Sequence, residues 1–479
     1  MKSFIQKSVI LSALCCLMAM PGMAQHVDSA KVAKRMQVKS HLQQHFKMYG
    51  FVRNYFTYDS RESISGTGDL YNYQPKDVNL NAYGDDLNAQ STFRFLALTT
   101  RIGLNITGYK WCGTEFGGKI EADFYAGLNK VTGQTHTLSG TAQFRLRQAY
   151  MTFAWDSLAM GKDYARVDLT MGQTWHPMAS DLCDAIALNS GAPFGPFNRS
   201  PMVKMDARLG KYVTLTAAGL WQMQYISTGP EGQSAEYIAY SKTPEAYLGL
   251  SFHDKGWIVR VGADVLSIKP RHIGQVIDPD PAIGAVKVKV NDRITTASPF
   301  VYVQYKKGEF SIKLKSIFAE AGEHMNLNGG YGVSKVNADG SYEYTPLRNS
   351  STWVSIVYGG LVGAQEAKHP QTLQGILFCG YVHNFGTKAP LATDETGKIV
   401  GLYIPRTTNM RQMYRITPAL LWTIGKFQIG CEYSITAVQY GDQDAKDLNN
   451  GINPANGLAE RNPHWIGNHR VQLMTKFNF

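Results

Sequence analysis

The closing residues of the sequence constrain the fold most. Val471, Leu473, Thr475, Phe477 and Phe479 alternate with Gln472, Met474, Lys476 and Asn478. Side chains alternate faces along a strand, so this segment reads as a strand with one apolar face to bury. Its last residue is aromatic, the pattern of the closing strand of an outer-membrane β-barrel.

The start of the chain agrees. Lys2 and Lys7 precede a short apolar stretch, Val9 to Ala19, and Gly22-Met23-Ala24 resembles a small-residue cleavage site. Residues 1–24 read as an export signal, 25–45 as a periplasmic N-terminal arm or short helix, and 46–479 as the barrel. After the signal no apolar run is long enough for a helical span, while aromatic residues make up 11% of the chain, which suits a barrel with interfacial girdles.

Tight turn signals recur at Trp111-Cys112-Gly113, Met160-Gly161-Lys162, Leu209-Gly210-Lys211, Asp254-Lys255-Gly256, Lys307-Gly308 and Gly425-Lys426, with a looser one between Gly359 and Pro370. Longer polar stretches lie between them, near 59–95, 129–140, 174–198, 226–242, 269–295, 321–349, 385–409 and 440–467. The alternation of short and long connections predicts an all-β, transmembrane antiparallel barrel of about 16 strands, with short periplasmic turns and long external loops. A cylinder of about this size encloses a lumen.

If the apolar set faces lipid, the opposite set faces the lumen. This places Arg101, Arg145, Arg147, Arg166, Lys204, Arg208, Arg260, Lys313, Lys315 and Arg415 inside, together with Arg411, Arg470 and Lys476. The inward acids, Glu121, Asp123, Asp168, Asp206, Asp264 and Glu432, are fewer. With a net charge of +11, the reading is a cationic lumen that concentrates small anions. An exported chain does not ordinarily meet nucleic acid, so the basic balance is assigned to solute.

The stretch Gly172 to Arg199 follows the fifth strand and is the candidate constriction loop, with Trp175, Asp181, Asp184, Phe194, Phe197 and Arg199 as its marked residues. Cys112, Cys183, Cys379 and Cys431 show no metal-ligand spacing, and no motif points to a metal or a cofactor. Asp442, Asp444 and Asp447 lack the EF-hand pattern. Two alternatives remain: a surface receptor or adhesin barrel, and a barrel hydrolase built on His176 and Ser180, which lacks a nucleophile motif.

Three stretches carry a resemblance: Tyr49-Gly50-Phe51; Arg145-Leu146-Arg147-Gln148-Ala149-Tyr150; and Gly172-Gln173-Thr174-Trp175 with Gly195-Pro196-Phe197-Asn198-Arg199-Ser200-Pro201. The chain resembles the DcaP-like trimeric outer-membrane porins. The resemblance implies a 16-stranded barrel, a homotrimer, passage of small anions such as dicarboxylates, and a pre-barrel arm able to form a periplasmic trimeric coiled coil. It also implies solute contact at Arg145, Arg147, Arg199 and Lys204. The other expected partners are outer-membrane lipid and the barrel-assembly machinery, through the strand ending at Phe479.

Overall fold

The computed structural model describes residues 44–66, 70–125, 143–160, 163–184, 186, 191–280, 282–362 and 370–479. The expected signal and almost all of the expected N-terminal arm lie outside these residues. The chain divides after Lys47, and the second unit, Met48–Phe479, carries the barrel.

Sixteen antiparallel staves close into one cylinder. They begin with β1 (Phe46–Asp59), β2 (Thr92–Leu96 continued by Arg101–Trp111), β3 (Thr114–Tyr125) and β4 (Gln143–Met160). Next come β5 (Asp163–Trp175), β6 (Arg199–Leu209), β7 (Val213–Leu220) and β8 (Glu245–Asp254). The far wall is β9 (Trp257–Ile268), β10 (Ile294–Lys307), β11 (Phe310–Glu320) and β12 (Tyr342–Tyr358). The last four are β13 (Gln371–Thr387), β14 (Met410–Ile424), β15 (Phe427–Tyr440) and β16 (His464–Asn478).

Each stave pairs with its sequence neighbour, and β1 pairs with β16 to seal the cylinder, with Phe51 opposite Asn478 and Asp59 opposite Arg470. Complete pairing removes the edges that lipid could not satisfy. At the seam Phe479 donates its backbone N–H to Gly50. A Cβ on Gly50 would lie 2.4 Å from the Phe479 ring, so the terminal aromatic residue fits only because position 50 has no side chain.

The exterior is apolar. Leu248, Leu250 and Phe252 are exposed on β8 while Tyr247, Gly249 and Ser251 are buried between them. Aromatic side chains gather on the outer face beside the short turns: Tyr212 stacks on Phe252, and Trp257 packs against Tyr305. Such rings suit the membrane–water interface. This surface and the closed sheet place the protein in a Gram-negative outer membrane. Leu473, on β16, faces outward opposite Phe56 and Cys431. Leu473→Arg is expected to cost about 2–4 kcal/mol near the bilayer midplane, whereas Leu473→Phe should be close to neutral. Unfolding titrations in lipid vesicles read the difference.

The interior is not uniformly wet. Apolar side chains on the inward faces of β10, β13 and β14, among them Phe300, Phe378, Val382 and Met413, form one cluster with Met178 and Phe194 of the third long loop. A second cluster joins Tyr71 and Tyr73 of the first long loop to Ala192 and Phe197. The alternating pattern marks these positions as inward, but it does not show that inserted loops cover them.

Two strand bulges also alter the expected faces. The β14–β15 register slips between Met410 and Gln412, so Arg411 is the extra residue. It donates to the Glu460 carbonyl of the last loop instead of lining the lumen. The β3–β4 register slips between Glu121 and Ala122, so Arg147 and Gln148 are both buried inside.

Candidate functional site

The third loop joins β5 at Trp175 to β6 at Arg199, and its described residues lie against the inside of the cylinder. Opposite staves hold it by specific bonds. Ser351 donates to the Phe194 carbonyl at 2.6 Å, and the Asp184 N–H donates to Ser355 at 3.0 Å. The Ile186 N–H donates to Glu432 at 3.2 Å. Phe194 lies over β13, where a Cβ on Gly380 would come within 2.6 Å of its ring. The loop's own acids neutralise the wall it rests on. Asp181 pairs with Arg260 and with Lys315 at 3.3 Å, and Asp184 pairs with Lys313 at 2.8 Å.

This arrangement changes the role of several expected pore-lining cations. Lys315 is fully buried, its ammonium bonded to the Met178 carbonyl and Asp181. Arg415 is equally buried and donates to Thr436 and to the carbonyls of Ala192 and Asn72. Both point inward, but as anchors beneath inserted loops rather than as water-facing groups. Phe194 and Phe197 are buried packing residues of the loop. Elsewhere on the wall, Arg166 pairs with Asp156 and Asp168, and Lys204 pairs with Asp206 at 2.5 Å. Arg208 follows on the same face of β6 and is exposed.

A different balance holds where β1 to β4, β6 and β16 face the loop. Asp123 accepts two bonds from Arg145, at 3.0 and 3.1 Å, and one from Arg147 at 2.6 Å. Glu121 accepts from Arg147 at 2.9 Å and from the Tyr49 hydroxyl at 2.7 Å, with Arg101 at 3.6 Å and Lys119 at 3.7 Å. Arg53, Arg101 and Lys476 surround the Phe51 ring at 4.6–5.1 Å. Arg199 is stacked on Trp175 at 5.0 Å, and Arg147 lies 5.8 Å from the same ring. Four cations, Arg101, Lys119, Arg145 and Arg147, therefore share two carboxylates, and Arg53, Arg199 and Lys476 lie beside them on aromatic rings. Arg199 Nη1 and Arg101 Nε are buried donors with no hydrogen-bond acceptor among the described residues. Arg147 and Arg199 are only 1% exposed, as deeply buried as Lys315 and Arg415, so of this cluster Arg101 and Arg145 are the arginines that reach water and could receive a carboxylate.

The first loop is an inserted element that the sequence reading left on the surface. Its hairpin, Ser63–Gly66 with Tyr71–Pro75, is buried at Leu70 to Gln74. Arg470 donates to the Leu70 carbonyl, and Arg415 holds Asn72. The aromatic pair Tyr71 and Tyr73, spaced by two like a strand's buried face, was the available signal. The His176–Ser180 pair makes no nucleophile–base contact. His176 Nε2 lies 2.6 Å from Glu245, and Ser180 donates to the Pro177 carbonyl. Cys112, Cys183, Cys379 and Cys431 are free thiols.

A closed 16-strand cylinder with an apolar exterior and a loop folded through its interior is the architecture of an outer-membrane porin. Among solved structures, the outer membrane channel DcaP of Acinetobacter baumannii is similar to this chain with a TM-score of 0.57 and 16% identity, covering 91% of this chain and 97% of that one. An anion-selective porin from Comamonas acidovorans matches with a TM-score of 0.45 and 10% identity, over 91% of this chain and 99% of its own. OmpT of Vibrio cholerae gives 0.46 and 10%, over 91% and 97%. The expected resemblance is thus met at the level of the barrel fold. No protein-family model and no curated protein sequence matches the chain.

Proposed function

We propose that this protein is a non-enzymatic porin for passive diffusion of small hydrophilic solutes, preferring anions such as carboxylates and dicarboxylates. One observation carries the reading: the cations around Glu121 and Asp123 outnumber those two acids, and Arg101 and Arg199 keep donor atoms unused. Low-dielectric walls strengthen the field of that excess and raise the local anion concentration. Arg145 and Arg101 keep about a fifth of their side-chain surface accessible, which supports solute contact at these two, while the buried Arg147 and Arg199 would act through their charge. Arg166, Lys204, Arg260 and Lys313 contribute less, because each already has a carboxylate. The Arg145, Arg147, Arg199 and Lys204 contacts are proposed on this basis and on the resemblance, which is also the support for a homotrimer.

The test is the reversal potential of the purified protein in a planar bilayer under a salt gradient. An anion-selective sign is expected. Arg101→Gln with Arg199→Gln should move the potential toward zero, and dicarboxylates should reduce the chloride current of the unaltered protein more than neutral sugars do. A cation-selective sign would overturn the reading.

A further inference from the structure

We propose that Glu245, Asp264 and His324 bind a divalent transition-metal ion of the zinc type, with His176 as the positioning residue of that site. The sequence reading singled out no metal ligands, and the four residues come from four separate segments. Glu245 opens β8 and Asp264 lies on β9, where Tyr247 pairs with it across the sheet. His176 begins the third loop, and His324 sits in a short turn, Gly322–Met325, of the sixth. All four are 0–1% exposed.

Hydrogen bonds fix the role of one nitrogen in each histidine ring. His324 Nδ1 lies 3.2 Å from the Ala321 carbonyl, which can only accept, so Nδ1 carries the hydrogen. Its Nε2 faces Glu245 and Asp264, 3.4 Å from an oxygen of each. A carbonyl partner on the far nitrogen is the usual second contact of a metal-ligating histidine. His176 is held the other way. Its Nδ1 accepts the Met178 N–H at 3.1 Å, so its proton sits on Nε2 and goes to Glu245 Oε1 at 2.6 Å. His176 therefore orients Glu245 and does not itself offer a lone pair.

The result is two buried carboxylates around an unfilled centre. Glu245 Oε2, Asp264 Oδ1 and His324 Nε2 all lack a hydrogen-bond partner among the described residues. Two such carboxylates in a dry site need a compensating charge, which without metal falls to a His324 protonated on both ring nitrogens, a proton that metal binding would release. A divalent ion supplies that charge instead, and one nitrogen with two carboxylate oxygens suits zinc or manganese. The spacing is of the right size, measured from His324 Nε2 to Glu245 Oε1 and Asp264 Oδ2, the oxygens next to the two unpartnered ones. Metal–ligand bonds near 2.0–2.1 Å in a tetrahedron set ligand atoms about 3.3 Å apart, and His324 Nε2 stands at 3.4 Å from both acids. The fourth position is left for water. Such an ion would fasten the sixth loop to the β8–β9 wall and, through His176, hold the start of the constriction loop against the same wall.

The experiment uses the full chain in detergent, stripped with chelator, dialysed and loaded with zinc or cobalt. Mass spectrometry of the metal should give one equivalent per chain, and the cobalt form should show visible ligand-field absorption. Glu245→Gln combined with Asp264→Asn should abolish both, and His324→Ala should do the same. His176→Ala should retain the metal with affinity lowered about 10–100-fold, the effect of losing an outer hydrogen bond to a ligand. Absence of metal uptake by the unaltered protein would overturn the proposal. So would uptake that the Glu245→Gln/Asp264→Asn variant leaves intact. Neither readout depends on ion selectivity, so the site stands or falls separately from the anion preference.

Discussion

Arg470→Met should destabilise the barrel by about 3–5 kcal/mol, the cost of leaving a buried charge without its partner. Asp59 and Arg470 face each other across the seam between β1 and β16, the one pairing that joins the two ends of the sheet. Arg470 holds both oxygens of Asp59, at 2.8 and 2.7 Å, and donates a further bond to the Leu70 carbonyl of the inserted hairpin. Both side chains are under 5% exposed, so water cannot replace the lost partner. Asn72 and Asn468 also donate to Asp59, but they carry no charge. The comparison is Arg147→Met. Arg147 is as deeply buried, yet Asp123 would keep Arg145, and Glu121 would keep Tyr49, Arg101 and Lys119. Its loss should fall at or below the low end of the same range. Urea unfolding in vesicles, followed by the heat-dependent shift in gel mobility, orders the two variants. The double variant Asp59→Asn/Arg470→Met should be less unstable than the sum of the singles, because removing both charges leaves none orphaned. Additive losses would mean that the pair contributes nothing across the seam.

The staves, their number and the sidedness of their turns were legible because lipid enforces the pattern. An arginine on the outer face is costly, so inward and outward sets separate cleanly along most strands. The reading failed where that pressure is absent. At Arg411 an extra residue shifts the phase, and no hydropathy pattern marks a bulge. On the inward face, alternation cannot distinguish a cation facing water from one capped by a loop. Arg145 and Lys315 look alike in sequence, but one keeps a water-accessible side chain and the other is sealed under Met178. The His324 cluster was illegible for a different reason: positions 176, 245, 264 and 324 share no spacing and converge only after the barrel closes and two loops fold inward.

Excising residues 179–196, with a short flexible link in their place, should raise single-channel conductance by about twofold or more. The described residues of this segment lie inside the cylinder, with Phe194 and Ala192 in its buried clusters. Its removal also unpairs Arg260, Lys313 and Lys315 from Asp181 and Asp184. Those cations sit on the inner wall, where water entering the widened lumen would hydrate them. The barrel itself should therefore survive, since every stave-to-stave ladder is independent of the loop. The anion preference should persist as well, though weaker: three freed cations add positive charge, while the wider bore lets salt screen all of them. Conductance and reversal potential measured on the same bilayer separate the two effects. A bore limited by the loop predicts a large rise in current with a modest fall in selectivity. An unchanged current would place the narrowest passage at the inserted hairpin of the first loop, where Arg415 and Arg470 hold the backbone from Leu70 to Tyr73.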